Sequence, residues 1–169
     1  GIATVTSRYV AAVAGTAARI VDTRKTTPGL RVLEKYAVRV GGGHNHRTGL
    51  YDGILIKENH ITAAGGIAQA ISRARAAISH TLKIEIETET VDDVHEALRA
   101  GADIIMLDNM DCDTMRHCVS IIAGQAVVEA SGGVNLETVA AIASTGVDII
   151  SVGALTHSPR AMDISMLLD

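Results

Sequence analysis

An α/β fold around a parallel sheet follows from three features of this sequence. Short apolar segments ending in polar residues recur along the chain, with helical patterns between most of them. Of 169 residues, 47% are hydrophobic, yet there is no Phe, no Trp and only three Tyr. The core must therefore be Ala, Val, Ile and Leu, as in parallel strands covered by helices. Gly101-Ala-Asp-Ile-Ile and Gly146-Val-Asp-Ile-Ile also echo each other, as duplicated βα units would. About six units are too few for an eight-stranded barrel, which takes ~250 residues. The expectation is an incomplete or irregular α/β barrel of about six parallel strands, TIM-barrel-like, with a doubly wound open sheet as the alternative.

In chain order, a helical pattern starts almost at once through Val10, Val13 and Ala17, and the first residue is Gly1 rather than Met. Both features predict an upstream domain outside residues 1–169, which themselves read as one domain. The first strand is expected at Ile20–Thr23. Pro28 suits the first turn of a helix carrying Leu30, Leu33, Ala37 and Val40 on one face and stopping at Gly41. Strands follow at Gly53–Lys57 and Leu82–Glu87. Thr90 with Asp93 has the form of a capping box, and Gly101 closes that helix. After the strand Asp103–Asp108 comes a helix bearing Cys112 and Cys118, whose six-residue separation keeps them off a common face. The strand Ala126–Ser131 precedes a helix capped by Asn135 and ended by Gly146, and the last strand is Val147–Gly153.

The formal net charge of −4 argues against a broad nucleic-acid surface. Two cysteines without metal-ligand spacing read as reduced thiols of a cytoplasmic protein. No apolar run approaches the ~20 residues of a membrane span.

The chemistry gathers at strand ends. Arg24 and Lys25, Lys57, Glu87, Asp108, Ser131-Gly132-Gly133 and Gly153 each fall at or just past the C-terminal end of an expected strand, the edge at which such folds bind ligands. Arg24, Lys25, His46, Arg47 and Lys57 offer enough positive charge for a ligand with two or more carboxylates. Glu87 and Asp108 suit Mg²⁺ held through carboxylates and substrate phosphates. Ser131-Gly132-Gly133, ahead of the Asn135 cap, and Gly153 are placed as a phosphate cradle.

Each piece has a plainer reading. Glu87 could mark an amphipathic strand, Asp108 a helix cap, and the glycine pair a tight turn. His44, His46 and His60 could bind zinc, although no Glu or Cys stands at ligand spacing with them. Arg73, Arg75 and Arg99 read as solvated helix faces.

Several motifs now carry a resemblance: Thr23-Arg-Lys-Thr-Thr-Pro-Gly, the Gly41-Gly-Gly run through Asn45-His-Arg to Gly49-Leu, Ile56-Lys-Glu-Asn-His-Ile, Ile84-Glu-Ile-Glu, Ile105-Met-Leu-Asp-Asn-Met and Glu129-Ala-Ser-Gly-Gly-Val. From end to end and in order, the chain strongly resembles the quinolinate phosphoribosyltransferases, the carboxylating nicotinate-nucleotide pyrophosphorylases. The resemblance implies the conversion of quinolinate and phosphoribosyl pyrophosphate to nicotinate mononucleotide, pyrophosphate and CO₂ with Mg²⁺, in NAD biosynthesis. It implies an incomplete barrel preceded by an α+β domain, and a homodimer or higher homo-oligomer whose partner N-terminal domain lends an arginine to each site. By the same resemblance Arg24, His46, Arg47 and Lys57 line the quinolinate pocket with Thr23 and Lys25 adjacent. Glu87 and Asp108 surround metal and ribose, and Ser131, Gly132 and Gly153 hold the 5′-phosphate. Lys25, Lys57, Glu87 and Asp108 are then the catalytic set. A sibling transferase for nicotinate would need fewer cations, and a non-catalytic binding domain would not need Glu87 and Asp108.

Overall fold

In the computed structural model, residues 1–168 are described, and they form one six-stranded, all-parallel sheet. The strands are β1 (Arg19–Val21), β2 (Ile54–Ile56), β3 (Ile84–Thr88), β4 (Ile104–Asp108), β5 (Val127–Ser131) and β6 (Ile149–Ser151). The helices are α1 (Ile2–Ala12), α2 (Arg31–Val40), α3 (Glu58–Ala64), α4 (Ile67–Ala77), α5 (Val91–Arg99), α6 (Cys112–Ile122), α7 (Val139–Ala143) and α8 (Ala154–His157). Strand order is β1-β6-β5-β4-β3-β2, so the first two strands are the edges and the sheet stays unclosed between them. Across that seam His44 makes a single parallel bridge to Val21, its N–H donating to the Ile20 carbonyl at 2.8 Å. The loop that follows, through His46 and Arg47 to Gly53, spans the rest of the gap.

Alternation along the strands decides between the two expected architectures. Ile84, Ile86, Ile105, Leu107, Val128, Ala130 and Ile150 are buried in the cluster shared with the helices. The intervening residues, Glu85, Met106, Glu129 and Ser151 among them, face cavities on the other side. The helices pack in one succession, α3 on α4, α4 on α5, α5 on α6, α6 on α7 and α7 on α1. One helix-covered face and one concave polar face make an incomplete barrel; a doubly wound sheet would have helices on both. Each fully buried Ile or Leu of the covered face contributes roughly 1.5–3 kcal/mol.

The local signals behave as their chemistry requires. Thr90 Oγ1 accepts the Asp93 N–H at 3.2 Å while Asp93 accepts the Thr90 N–H at 3.0 Å. Gly101, at φ +77, follows α5 where a side chain would be strained. Asn135 Oδ1 accepts from Glu137 and Thr138 N–H, but this closes the turn before α7, whose own N-cap is Thr138. Cys118 is buried on α6 and Cys112 half-buried, both free.

Three expectations are corrected. The first helix ends at Ala12; Val13 caps it, and Ala17 lies beyond in an exposed turn. Pro28 sits in the turn before α2, which begins only at Arg31. The supposed inner stripe of α2 points largely outward, with Leu30 45%, Leu33 65% and Val40 61% exposed. Its buried face is Glu34, Lys35 and Val38.

The helix is turned this way by hydrogen bonds. Asp22, at the end of β1, is fully buried and takes Lys35 Nζ on Oδ1. The same oxygen accepts the His46 N–H at 2.9 Å, and Lys35 Nζ donates to the His46 carbonyl at 2.9 Å. Asn45 Nδ2 bonds both Asp22 Oδ2 and the Lys35 carbonyl. Glu34 Oε2 accepts the Thr27 N–H at 3.1 Å. Arg31 donates to Thr26 Oγ1, the Thr48 carbonyl and the Arg24 carbonyl. One polar face thus secures both basic loops. Removing one partner of a buried ion pair strands the other, at a cost of about 3–5 kcal/mol. Lys35→Met is expected to lower unfolding free energy by that amount in urea titrations, and Asp22→Leu with Lys35→Met to cost less than the two single changes added together.

Candidate functional site

A cavity of about 260 Å³ opens at the C-terminal ends of the strands. Thr23, Arg24 and Lys25 reach it from the loop after β1, His46 and Arg47 from the seam loop, and Lys57 from the end of β2. Glu129, Ser131, Ser151, Leu55 and Met106 complete it. Seven of the residues singled out in the sequence therefore meet in one place: Thr23, Arg24, Lys25, His46, Arg47, Lys57 and Ser131. Glu87, Asp108, Gly132 and Gly153 do not line this cavity; they stand around it at their own strand ends.

The two arginines are its strongest feature. Arg24 Nε and Arg47 Nε are buried with no hydrogen-bond partner. Arg47 keeps only Nη1 engaged, on the Gly53 carbonyl at 3.1 Å. Burial, and then the like charge of Arg24, push the Arg47 pKa below its ordinary value. Buried guanidinium N–H groups without acceptors are costly alone and suit a carboxylate that would take both.

Lys57 Nζ lies 2.6 Å from Glu87 Oε2. Carboxylate oxygens of Glu87, Glu89 and Asp108 approach within 4.8 Å of one another, so Glu89 joins the acidic pair expected from the sequence. Asp108 does not cap α6; Asp111 does, accepting from Asp113 and Thr114 N–H. The loops after β4 and β5 interlock beside it. Asn109 donates its N–H to the Ser131 carbonyl at 2.9 Å and its amide to Asp108 Oδ2 at 2.7 Å. A Cβ on Gly132 would stand 2.3 Å from Asn109 Oδ1, and its φ of +91 also calls for glycine. At Gly153 a Cβ would meet His157 Cδ2 at 3.1 Å, which sets the His157 ring beside the last glycine. Thr156 Oγ1 donates to the Lys25 carbonyl at 2.8 Å, tying that corner to the first basic loop.

The three histidines do not act together. His44 bridges β1, and His60 Nδ1 accepts the Lys57 N–H at 2.9 Å as a cap for α3. Arg75 is no idle surface charge either, since it donates to Asp103 Oδ2 and the Gly101 carbonyl at 2.8 Å.

Against the cavity lies a cluster of which the sequence singled out only His46. His46 Nε2 is 3.0 Å from Glu85 Oε2 and 3.4 Å from Glu129 Oε2. Both glutamates are almost wholly buried, and the Oε1 of each has no partner. Burial opposes a charged ring, but hydrogen bonds and charge from Glu129 and Glu85 lift His46 from 6.5 to about 10. Burial raises Glu85, with the His46 hydrogen bond opposing and the Glu129 charge adding. The cluster therefore keeps a proton that its members would lose in water. Nδ1 of His46 lies 2.8 Å from the Arg47 backbone nitrogen, and Nε2 faces the two carboxylates.

That retention links stability to pH. Groups raised on folding stabilise fully below their unfolded value and lose the contribution as pH climbs through the folded one. The thermal midpoint is expected to fall between pH 6.5 and about 10. The fall should be shallower in Glu85→Gln and Glu129→Gln; parallel profiles for all three proteins would contradict the cluster's role.

The profile described as the C-terminal domain of quinolinate phosphoribosyl transferase matches residues 2–167. A Bacillus subtilis protein carrying the name probable carboxylating nicotinate-nucleotide pyrophosphorylase is 54% identical over 166 residues, 98% of this chain and 57% of that relative. The Mycobacterium leprae carboxylating nicotinate-nucleotide pyrophosphorylase is 48% identical, over 98% of this chain and 59% of its own length. The solved nicotinate-nucleotide pyrophosphorylase of Francisella tularensis superposes with a TM-score of 0.93 at 47% identity, over 98% of this chain and 59% of that one. The chain thus spans somewhat over half the length of the relatives it matches.

Proposed function

The chain belongs to the quinolinate phosphoribosyltransferase family, and from that membership we propose that it forms the catalytic barrel of a pentosyltransferase. The enzyme joins quinolinate to the ribosyl 5-phosphate of phosphoribosyl pyrophosphate and releases pyrophosphate and CO₂, yielding nicotinate mononucleotide for NAD synthesis. The observation that carries the reading is the pair of buried, unpartnered guanidinium Nε groups of Arg24 and Arg47 in a cavity with three further cations. Such a set matches a small planar dicarboxylate.

Arg24, Arg47, His46 and Lys57 hold the two carboxylates, with Thr23 and Lys25 beside them. Ser131, Gly132 and Gly153 receive the 5′-phosphate through backbone N–H groups. Departure of pyrophosphate leaves positive charge on the ribose, and Glu87 and Asp108 stabilise it. The ring nitrogen attacks the anomeric carbon. The pyridinium so formed draws electrons from the 2-carboxylate bond as CO₂ leaves. Lys25 and Lys57 help to balance the anions before transfer. The protein positions and neutralises, and no covalent nucleophile is required.

Glu87, Glu89 and Asp108 fit Mg²⁺, being hard oxygen donors clustered within 4.8 Å, although Lys57 engages one oxygen of Glu87. When bound there, the cation neutralises pyrophosphate. We place the enzyme in the cytoplasm, in keeping with two free cysteines, and assign it a homodimer or higher homo-oligomer in which a partner's N-terminal domain completes each site. Among the described residues no helix is long and apolar enough to cross a membrane.

Calorimetric titration tests the ligand assignment. Arg47→Ala and Lys57→Ala are each expected to weaken quinolinate binding roughly tenfold or more, the ~1.5–3 kcal/mol of a charge-assisted contact, and to leave phosphoribosyl pyrophosphate binding nearly unchanged. Equal losses for both ligands would reject it. Glu87→Ala should instead lower pyrophosphate release at saturating substrate while quinolinate binding holds.

A further inference from the structure

Arg24 and Arg47 bring like charges into one cavity, and the buried Nε of each has no acceptor. Moving the two loops apart would relieve the repulsion and let water reach both guanidinium groups. Something outside the cavity must hold the loops together.

Arg31 is placed to do so. It opens α2, is half-buried, and spends all three guanidinium nitrogens on the two basic loops. Nη2 donates to the Arg24 carbonyl at 3.1 Å and Nε to Thr26 Oγ1 at 3.0 Å, both in the loop after β1. Nη1 donates to the Thr48 carbonyl at 3.1 Å, on the seam loop one residue past Arg47. Thr48 is fixed at its other backbone group too, since its N–H donates to Asp52 Oδ2 at 2.6 Å. On the near side of Arg47, Asp22 accepts the His46 N–H and Lys35 donates to the His46 carbonyl. A guanidinium is a rigid plane, so acceptors on its three nitrogens are fixed relative to one another as well as to the helix. A lysine, with one ammonium on a flexible stem, cannot reproduce that hold. The partners of Arg31 are two carbonyls and a hydroxyl, and it does not line the cavity. What it supplies is geometry.

Resting on the transferase reading above, we infer that Arg31 is a positioning residue that sets the separation of Arg24 and Arg47, and through it the preference for a ring with two adjacent carboxylates over a ring with one. A lone carboxylate can be gripped by either arginine, wherever the other stands. Two carboxylates on neighbouring carbons of a planar ring need both guanidinium groups at one spacing. Any drift of the loops must be reversed at each binding event and is subtracted from the affinity for the diacid alone.

The test compares quinolinate with nicotinate, which lacks the 2-carboxylate, by calorimetry on the full-length enzyme with the domain that completes each site in place. Arg31→Lys keeps the charge and removes the three-point hold. It should weaken quinolinate binding about tenfold or more, while nicotinate binding changes less than about threefold. In the same variant without ligand, amide hydrogen exchange across residues 44–53 should quicken at least about threefold. Thr26→Val removes a single bond of the three without touching charge, and should shift quinolinate affinity in the same direction by about threefold. Equal weakening of both ligands would make Arg31 a support of the fold alone and overturns the role. Unchanged quinolinate affinity or unchanged loop exchange in Arg31→Lys overturns it as well; if that variant does not fold, Thr26→Val decides by the same comparison. Should the wild-type enzyme bind quinolinate no better than nicotinate, the transferase reading fails and this role falls with it. If the wild type shows the preference and the variants keep it, the role fails alone.

Discussion

The burial of Asp22 is the constraint around which the mouth of the barrel is arranged. A carboxylate without water must be matched by donors, and Lys35, Asn45 and the His46 backbone supply them from two different segments. Once Lys35 turns inward to meet it, the other residues of α2 have no choice of face. Glu34 and Arg31 come round with it to secure Thr27, Thr26, Arg24 and Thr48, and the apolar side chains are left outside. The basic loops keep their shape because a polar helix stands behind them. Arg24 and Arg47 can then be held with unsatisfied N–H groups, a strained condition that a floppy loop would relieve by turning to solvent.

Charge is layered with depth in this barrel. At the top, Lys57 faces the three carboxylates of Glu87, Glu89 and Asp108, in a setting open enough for water to moderate them. Below that come two guanidinium groups whose Nε atoms lack partners, and below those two carboxylates with a histidine between. Each layer differs in how much solvent it keeps: the outer acids are open to water, the arginines keep buried Nε groups without acceptors, and the deepest layer holds His46 protonated between two carboxylates.

Much of this was legible in the sequence because βα architecture puts side chains with chemistry at strand ends. Arg24, Lys57, Glu87, Asp108 and Ser131 could be placed by finding where each apolar run stops. What could not be read was burial that runs against residue type. Lys35 and Glu34 look like any solvated helix positions, and Leu30, Leu33 and Val40 look like a core stripe, because helical periodicity states which residues share a face but not which face turns inward. Arg75 was likewise hidden: its partner Asp103 lies 28 residues away and on another element. Glu85 and Glu129 stood in plain view within the motifs. The alternation Glu85-Ile86-Glu87, read at Glu87 as the mark of an amphipathic strand, equally signals a polar inner wall at Glu85, since a strand buried on both faces would be apolar throughout. His157 gave no signal, lying beyond the last strand next to a glycine whose closeness only the backbone reveals.

The unclosed seam between β1 and β2 has a thermodynamic consequence. The segment from His44 to Gly53 crosses the gap between those edges, held by one bridge and the clamp on His46. It also carries Arg47 into the cavity. An anion held by both Arg24 and Arg47 would act as a removable rivet across the open seam of the sheet. Occupancy must then raise melting temperature with ligand concentration, in step with RT ln(1 + [L]/Kd). Resistance to heat and possession of substrate become two readings of one quantity, and scanning anions by thermal shift would map what the barrel was made to hold.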